Sequence, residues 1–164
     1  MSLFFRKEKE APVVPDMKGR ELYGLVTSTL STLNLAYEKD DSKLYAKVAF
    51  EGHGLNILAF VKADEERPLL AFDCPLEFEV PASETDTILR AINDVNKQIH
   101  FGAFTLEQGR VWYRYHMIVS GRISESYVAA VLKMVLDTVD ENDDPMNDLI
   151  KTRSSNANVD PMYG

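Results

Sequence analysis

The sequence predicts an α+β fold: an antiparallel sheet of about five strands with three helices, in the order α-β-β-β-α-β-β-α. Three observations predict it. Apolar residues recur at helical spacing in three separate segments. Between those segments they alternate with a period of two, as in strands with one buried face. Short turn-forming links join the alternating segments, and strands joined this way pair antiparallel. The 164 residues suit one domain. Apolar residues make up 45% and charged residues 27%, a globular composition with enough apolar surface for a core.

Met1 to Asp16 reads as an arm, because Pro12 and Pro15 oppose helix and central strand and Arg6 to Glu10 is a charged run. The folded domain is expected over 17–150. Leu22, Val26, Leu30 and Leu33 form the first helical stripe, widened by Leu25, with Asp16 as candidate cap and Asn34 as terminator. Leu44, Ala46, Val48 and Phe50 alternate as a strand. Gly52, His53 and Gly54 make a turn into a second strand, Leu55 to Val61. A third strand, Leu69 to Cys74, follows the charged loop Asp64 to Pro68. Pro75 is expected to break or end its ladder, with a further extended stretch through Leu76, Phe78 and Val80.

Ser83 and Asp86 resemble a capping box, and Ile88, Ile92, Val95 and Ile99 form the next helical face. Phe101 to Leu106 and Arg110 to Val119 are two strands linked by Glu107, Gln108 and Gly109. Ser124 caps a last helix lined by Val128, Val131, Leu132, Val135 and Val139. Asp140 to Asp144 should close it in a solvated acidic patch, and Met146, Leu149 and Ile150 add one apolar turn. The segment 151–164 is expected to be a flexible tail, since it has too few large apolar groups to pack.

Over Met17 to Pro145 this element order resembles the YbjN-domain family. The residues that carry the likeness are Asn93 and Asn96, the run Ile99-His100-Phe101-Gly102-Ala103-Phe104, Gly109, Val111 to Tyr115, Ser120-Gly121, and the helix end Leu136 to Asp140 with Pro145 behind it. The resemblance implies a fold like the type III secretion chaperones, and a regulator of sensory transduction rather than an enzyme. The related chaperones are dimers that hold partner polypeptides, so it also implies a homodimer. The motif residues make structural sense as well. Gly102, between Phe101 and Phe104, permits close approach, and the Asn96 amide can bond backbone across to the next strand.

Acids exceed bases, 26 against 18, for a net charge of −8. That balance opposes nucleic acid or an anionic membrane as partner. One cysteine fits a reducing compartment, and no apolar run reaches the ~18–20 residues needed to cross a bilayer, so a cytoplasmic protein is expected. No catalytic residue, cofactor site or metal site is expected. His53 sits in a glycine turn. His100 and His116 have no His or Cys at ligand spacing. Cys74 shares strand parity with Leu70 and Phe72, as a buried hydrophobe would. Asp140, Asn142 and Asp144 begin like a calcium loop, but Pro145 and Lys151 stand where it needs glycine and glutamate.

The strand Arg110 to Val119 is the most informative stretch. Val111, Tyr113, Tyr115, Met117 and Val119 suit a core, whereas Arg110, Trp112, Arg114, His116 and Ile118 lie on the reverse. Leu58 and Phe60 likewise oppose Leu55, Ile57, Ala59 and Val61. A sheet wetted on one face carries polar residues there, so apolar groups on both faces imply a second covered face. Trp112, Arg114, Phe60 and Leu58 are therefore the candidate contacts for a protein segment or a second copy, with Arg114 expected to pair with an acidic group. The alternative is a small-ligand sensor or enzyme whose pocket gathers His53, Cys74, His100, His116 and carboxylates from distant parts of the chain.

Overall fold

The computed structural model describes residues 14–157, with side chains as far as Lys151. Most of the arm and the last part of the tail lie outside the described residues. Six strands form one antiparallel sheet: β1 (Tyr37–Asp40), β2 (Tyr45–Glu51), β3 (Asn56–Ala63), β4 (Leu69–Glu79), β5 (Ala103–Glu107) and β6 (Arg110–Ile118). Their order across the sheet is β1-β2-β3-β4-β6-β5. The helices are α1 (Gly19–Thr32), α2 (Thr85–Asn96), α3 (Glu125–Asp140) and α4 (Asp143–Ala157). The expected α+β fold is present, with one more strand than expected and a fourth helix. α4 runs beyond the single apolar turn expected at Met146 to Ile150.

Period-two alternation puts one set of side chains inward along every long strand. Ala46 and Val48, then Ile57, Ala59 and Val61, then Leu70, Phe72, Cys74 and Leu76, and finally Val111, Tyr113 and Met117 are buried in one core. The helices close that core from a single side. α1 contributes Leu22, Val26 and Leu30, and α3 contributes Val128, Val131, Leu132, Val135 and Val139, the stripe expected. Asn34 ends α1 in the left-handed region at φ 55°. Its N–H donates to Ser31 O, and that of Leu35 donates to Leu30 O, a Schellman arrangement. The Ser124 side chain accepts from the Tyr127 N–H and caps α3.

Several local expectations are corrected. Asp16 does not cap α1; its carboxylate accepts the Gly121 N–H at 2.6 Å and joins the chain's entry to the turn after β6. Ser83 lies in a short 3₁₀ turn, Ala82–Glu84, and α2 has no side-chain cap. Leu149 is 41% exposed, while Met146 and Ile150 are buried, because they are four residues apart on one face of α4. Pro75 breaks the ladder as expected, with the register to β6 shifting between Pro75 and Glu79, but the strand itself continues past it. The ladder from β4 to β3 covers only Leu70 to Asp73, so Pro75 falls where β4 is paired on the β6 side alone. Past that point Glu77 reaches across the opening and accepts the Asn56 N–H at 2.9 Å.

β5 starts at Ala103, leaving Phe101 in the preceding link and 55% exposed. The outer edge of β5 is closed by Asn96 as expected. Its Oδ1 accepts the Phe104 N–H at 2.8 Å, and its Nδ2 donates to the Phe104 carbonyl at 3.0 Å. One side chain thus replaces a neighbouring strand at that residue. Asn96→Ala removes both bonds and strands two backbone groups, so it should cost about 2 kcal/mol of stability in urea denaturation. Asn96→Asp should recover part of that loss, because it restores only the acceptor.

Candidate protein-binding face

Among the described residues the helices leave the other face of the sheet uncovered, and strand register decides what it shows. One line of partners crosses all six strands on that face: Glu38, Lys47, Phe60, Asp73, Arg114 and Ala103. A second line is Asp40, Tyr45, Lys62, Ala71 and His116. Ala49 with Leu58, and Pro75 and Thr105 with Trp112, make the adjoining row. The four candidate residues Leu58, Phe60, Trp112 and Arg114 therefore share one face, and all four are half-buried. Phe60 stands edge-on to Tyr45, with ring centroids 6.0 Å apart. Ile118, at the end of β6, is 79% exposed.

Charged groups frame these apolar ones in pairs. Arg114 makes a two-pronged contact with Glu107 at 2.5 and 3.0 Å, and its Nε lies 3.5 Å from Asp73. Its guanidinium sits 5.4 Å from the ring centre of Trp112. Asp73 also meets His116 Nε2 at 3.1 Å, and Lys47 meets Glu38 at 3.2 Å. Arg114 is thus paired with acids of its own chain, and Trp112 lies under a fixed cation. The reverse face is neither uniformly apolar nor uniformly wet: it is an aromatic and aliphatic centre in a lattice of closed ion pairs.

The groups proposed for a composite catalytic pocket are not brought together. Cys74 is fully buried on the core side, and burial, with the Asp73 charge adding, pushes its thiol up to about 12. His116 pairs with Asp73 on the open face, and His100 lies in the α2–β5 link. His53 is exposed, yet its backbone N–H donates to Asp140 Oδ1 at 2.7 Å and its Nδ1 meets Asp140 Oδ2. Among the described residues, no group of three or more His, Cys, Asp and Glu side chains is placed to hold a metal ion.

Sequence reading missed this clamp between the β2–β3 turn and the α3–α4 corner. Its one signal is the pair of glycines around His53: a Cβ at Gly52 or Gly54 would collide with the Asp140 or Asp144 carboxylate. The corner also departs from the expected solvated patch. Asp143 is only 2% exposed, and burial, reinforced by Asp144 and Asp140, pushes its carboxyl up to about 6.

The alternation, the one-sided helix layer and the edge closed by Asn96 define an α+β domain with an open sheet face, and comparison places it in a family. The family model described as "YbjN: Putative bacterial sensory transduction regulator" matches residues 24–148, and the chain belongs to that family. A solved structure, titled "Crystal structure of YbjN, a putative transcription regulator from E. coli", superimposes with a TM-score of 0.60 at 10% identity. The match covers 76% of this chain and 90% of the other. No curated protein matches by sequence. Among the described residues, no helix is long and apolar enough to cross a membrane.

The Asp143 carboxyl makes stability depend on pH with a fixed sign. Its folded value of about 6 lies above the ~3.9 of an unfolded aspartate. The folded chain therefore holds a proton that the unfolded chain releases, and the stabilisation present below about pH 4 is lost as pH rises through 6. Asp143→Asn keeps an acceptor for the Asp144 N–H, made at 2.7 Å by Asp143 Oδ1, and carries no charge. Its unfolding free energy should match the parent's at pH 4 and exceed it by about 1–2 kcal/mol at pH 7.5 in paired denaturation curves.

Proposed function

We propose that this chain is a non-enzymatic regulatory module that docks a protein segment, or a second copy of itself, on the open sheet face. The observation that carries this reading is the row through Phe60, flanked by Leu58 and Trp112, on the one side of the sheet that no described helix covers. Leu58, Phe60 and Trp112 supply the apolar anchors. Arg114 holds the Trp112 ring under its guanidinium, so less side-chain freedom is lost on docking. Lys47 with Glu38 and Arg114 with Glu107 are already paired within the chain, which lowers the cost of removing them from water.

The family description supports a regulatory role. The E. coli neighbour is titled a transcription regulator; for this chain a net charge of −8 opposes direct contact with phosphates and favours regulation through protein partners. The separate placement of His53, Cys74, His100 and His116 favours binding over catalysis. A cytoplasmic site of action accords with the lone buried thiol.

Sedimentation velocity together with a peptide-array binding screen tests the proposal. The parent should dimerise or capture array segments at micromolar strength. Phe60→Glu combined with Trp112→Ala should weaken that association at least tenfold while the far-ultraviolet dichroism stays unchanged. Association that survives the double variant, or none by either measure up to millimolar concentration, overturns the assignment.

A further inference from the structure

We propose that the cleft between the C-terminal ends of α2 and α3 binds a small organic cation: an ammonium group carried on an aromatic or aliphatic body. This site lies on the helical side of the sheet and goes beyond the docking role of the open face. The cleft has a volume of about 480 Å³, within the range of small-molecule sites. Val95, Ile99 and Met134 give it an apolar wall, and Phe101, Glu141 and Asn142 complete the lining that bears on charge.

Every fixed charge in this lining favours a cation. Glu141 is its only carboxylate, and no lysine or arginine lines it. The Glu141 side chain is in none of the ion pairs or hydrogen bonds of the described residues, and it stands at the C-cap of α3, at the negative end of that helix. Neither α2 nor α3 has a basic residue in its last turn. Lys97, the C-cap of α2, is paired with Asp94 at 2.9 Å, and Lys133 of α3 with Asp137 at 2.8 Å. Asn142 spends its Nδ2 on the Thr138 carbonyl at 2.8 Å, which leaves Oδ1 as a second acceptor. His100 also lines the cleft, and the test is run with ligand charge, not pH, as the variable.

The aromatic side of the cleft is held in place before any ligand arrives. The Tyr113 hydroxyl donates to the Phe101 carbonyl at 2.9 Å. Gly102 sits at φ +67°, and a Cβ there would lie 2.5 Å from Tyr113 Oη and 2.6 Å from the Arg114 carbonyl. The Phe101 ring packs edge-on to Tyr115 with centroids 6.1 Å apart, and the residue remains 55% exposed. An exposed aromatic ring beside an unpaired carboxylate suits an ammonium group and its apolar body together.

The experiment is a two-dimensional amide NMR titration with 2-phenylethylamine, and with its neutral counterpart 2-phenylethanol as control. The amine should give saturable shifts confined to the 98–101 and 138–142 amides, and it should bind at least tenfold more tightly than the alcohol. Glu141→Gln, at an exposed position, should remove that preference and leave alcohol binding unchanged. Phe101→Ala should weaken both ligands several-fold. Absence of saturable shifts, equal binding of amine and alcohol, or an amine preference that persists in Glu141→Gln each overturns the proposal. None of these outcomes bears on the open-face reading, whose residues lie outside this cleft.

Discussion

One-sided burial is the constraint on which the rest of this structure depends. Strands alternate their side chains strictly, and all the helices pack on the same side, so each inward residue fixes its neighbours outward. Phe72 and Cys74 inside place Asp73 outside; Tyr113 inside places Trp112 and Arg114 outside. A slip of one residue in the β4–β6 ladder would drive Asp73 or Arg114 into the core and expose Phe72 or Tyr113. The open face is therefore specified by the same hydrophobic pattern that specifies the core, and its composition is not free to drift independently of the fold.

The ion pairs on that face are better understood as positioning than as stabilisation. Exposed pairs contribute roughly 0–1 kcal/mol each, and Arg114, Asp73 and Glu107 are all partly in water. What the network does is geometric. Glu107 grips the guanidinium through its two terminal nitrogens, Asp73 lies against its Nε, and the cation rests over Trp112. Arg114 is thus already engaged by acids of its own chain. On the docking reading proposed above, an incoming surface would meet an already paired array around Phe60 and Leu58, where affinity would have to come from shape and apolar contact.

The core was legible in the sequence because it rests on periodicity: the α3 stripe from Val128 to Val139 and the inward set of β6 are read directly from spacing. The short edge strand Tyr37–Asp40 was not, because its pattern of Tyr, Glu, Lys and Asp holds no apolar alternation; it exists by pairing with β2. Pro75 was legible as a break in the ladder but not as a residue inside a continuous strand. A proline forbids a ladder bond, but whether a bond is needed depends on where β3 stops, which no local pattern encodes. The burial of Asp143 depends on α4 folding back against the rest of the chain, another long-range fact. Face membership of Leu58, Phe60, Trp112 and Arg114 was readable. Their common alignment across β3, β4 and β6 required the register.

β6 also joins the two faces mechanically. Tyr113 points inward and holds the Phe101 carbonyl, while the carbonyl of Arg114, whose side chain spreads over the open face, lies against Gly102 with no room for a Cβ. The link 97–102 therefore cannot shift relative to β6 without breaking the Tyr113 hydrogen bond or moving the strand. On the far side of that link, Asn96 ties Phe104 by two further bonds. The segment from Asn96 to Phe104 is therefore fastened at both ends and in its middle, which gives three residues of the family resemblance a physical role: Asn96 closes the strand edge, Gly102 takes the left-handed position where no Cβ fits, and the Phe101 carbonyl accepts the buried Tyr113 hydroxyl.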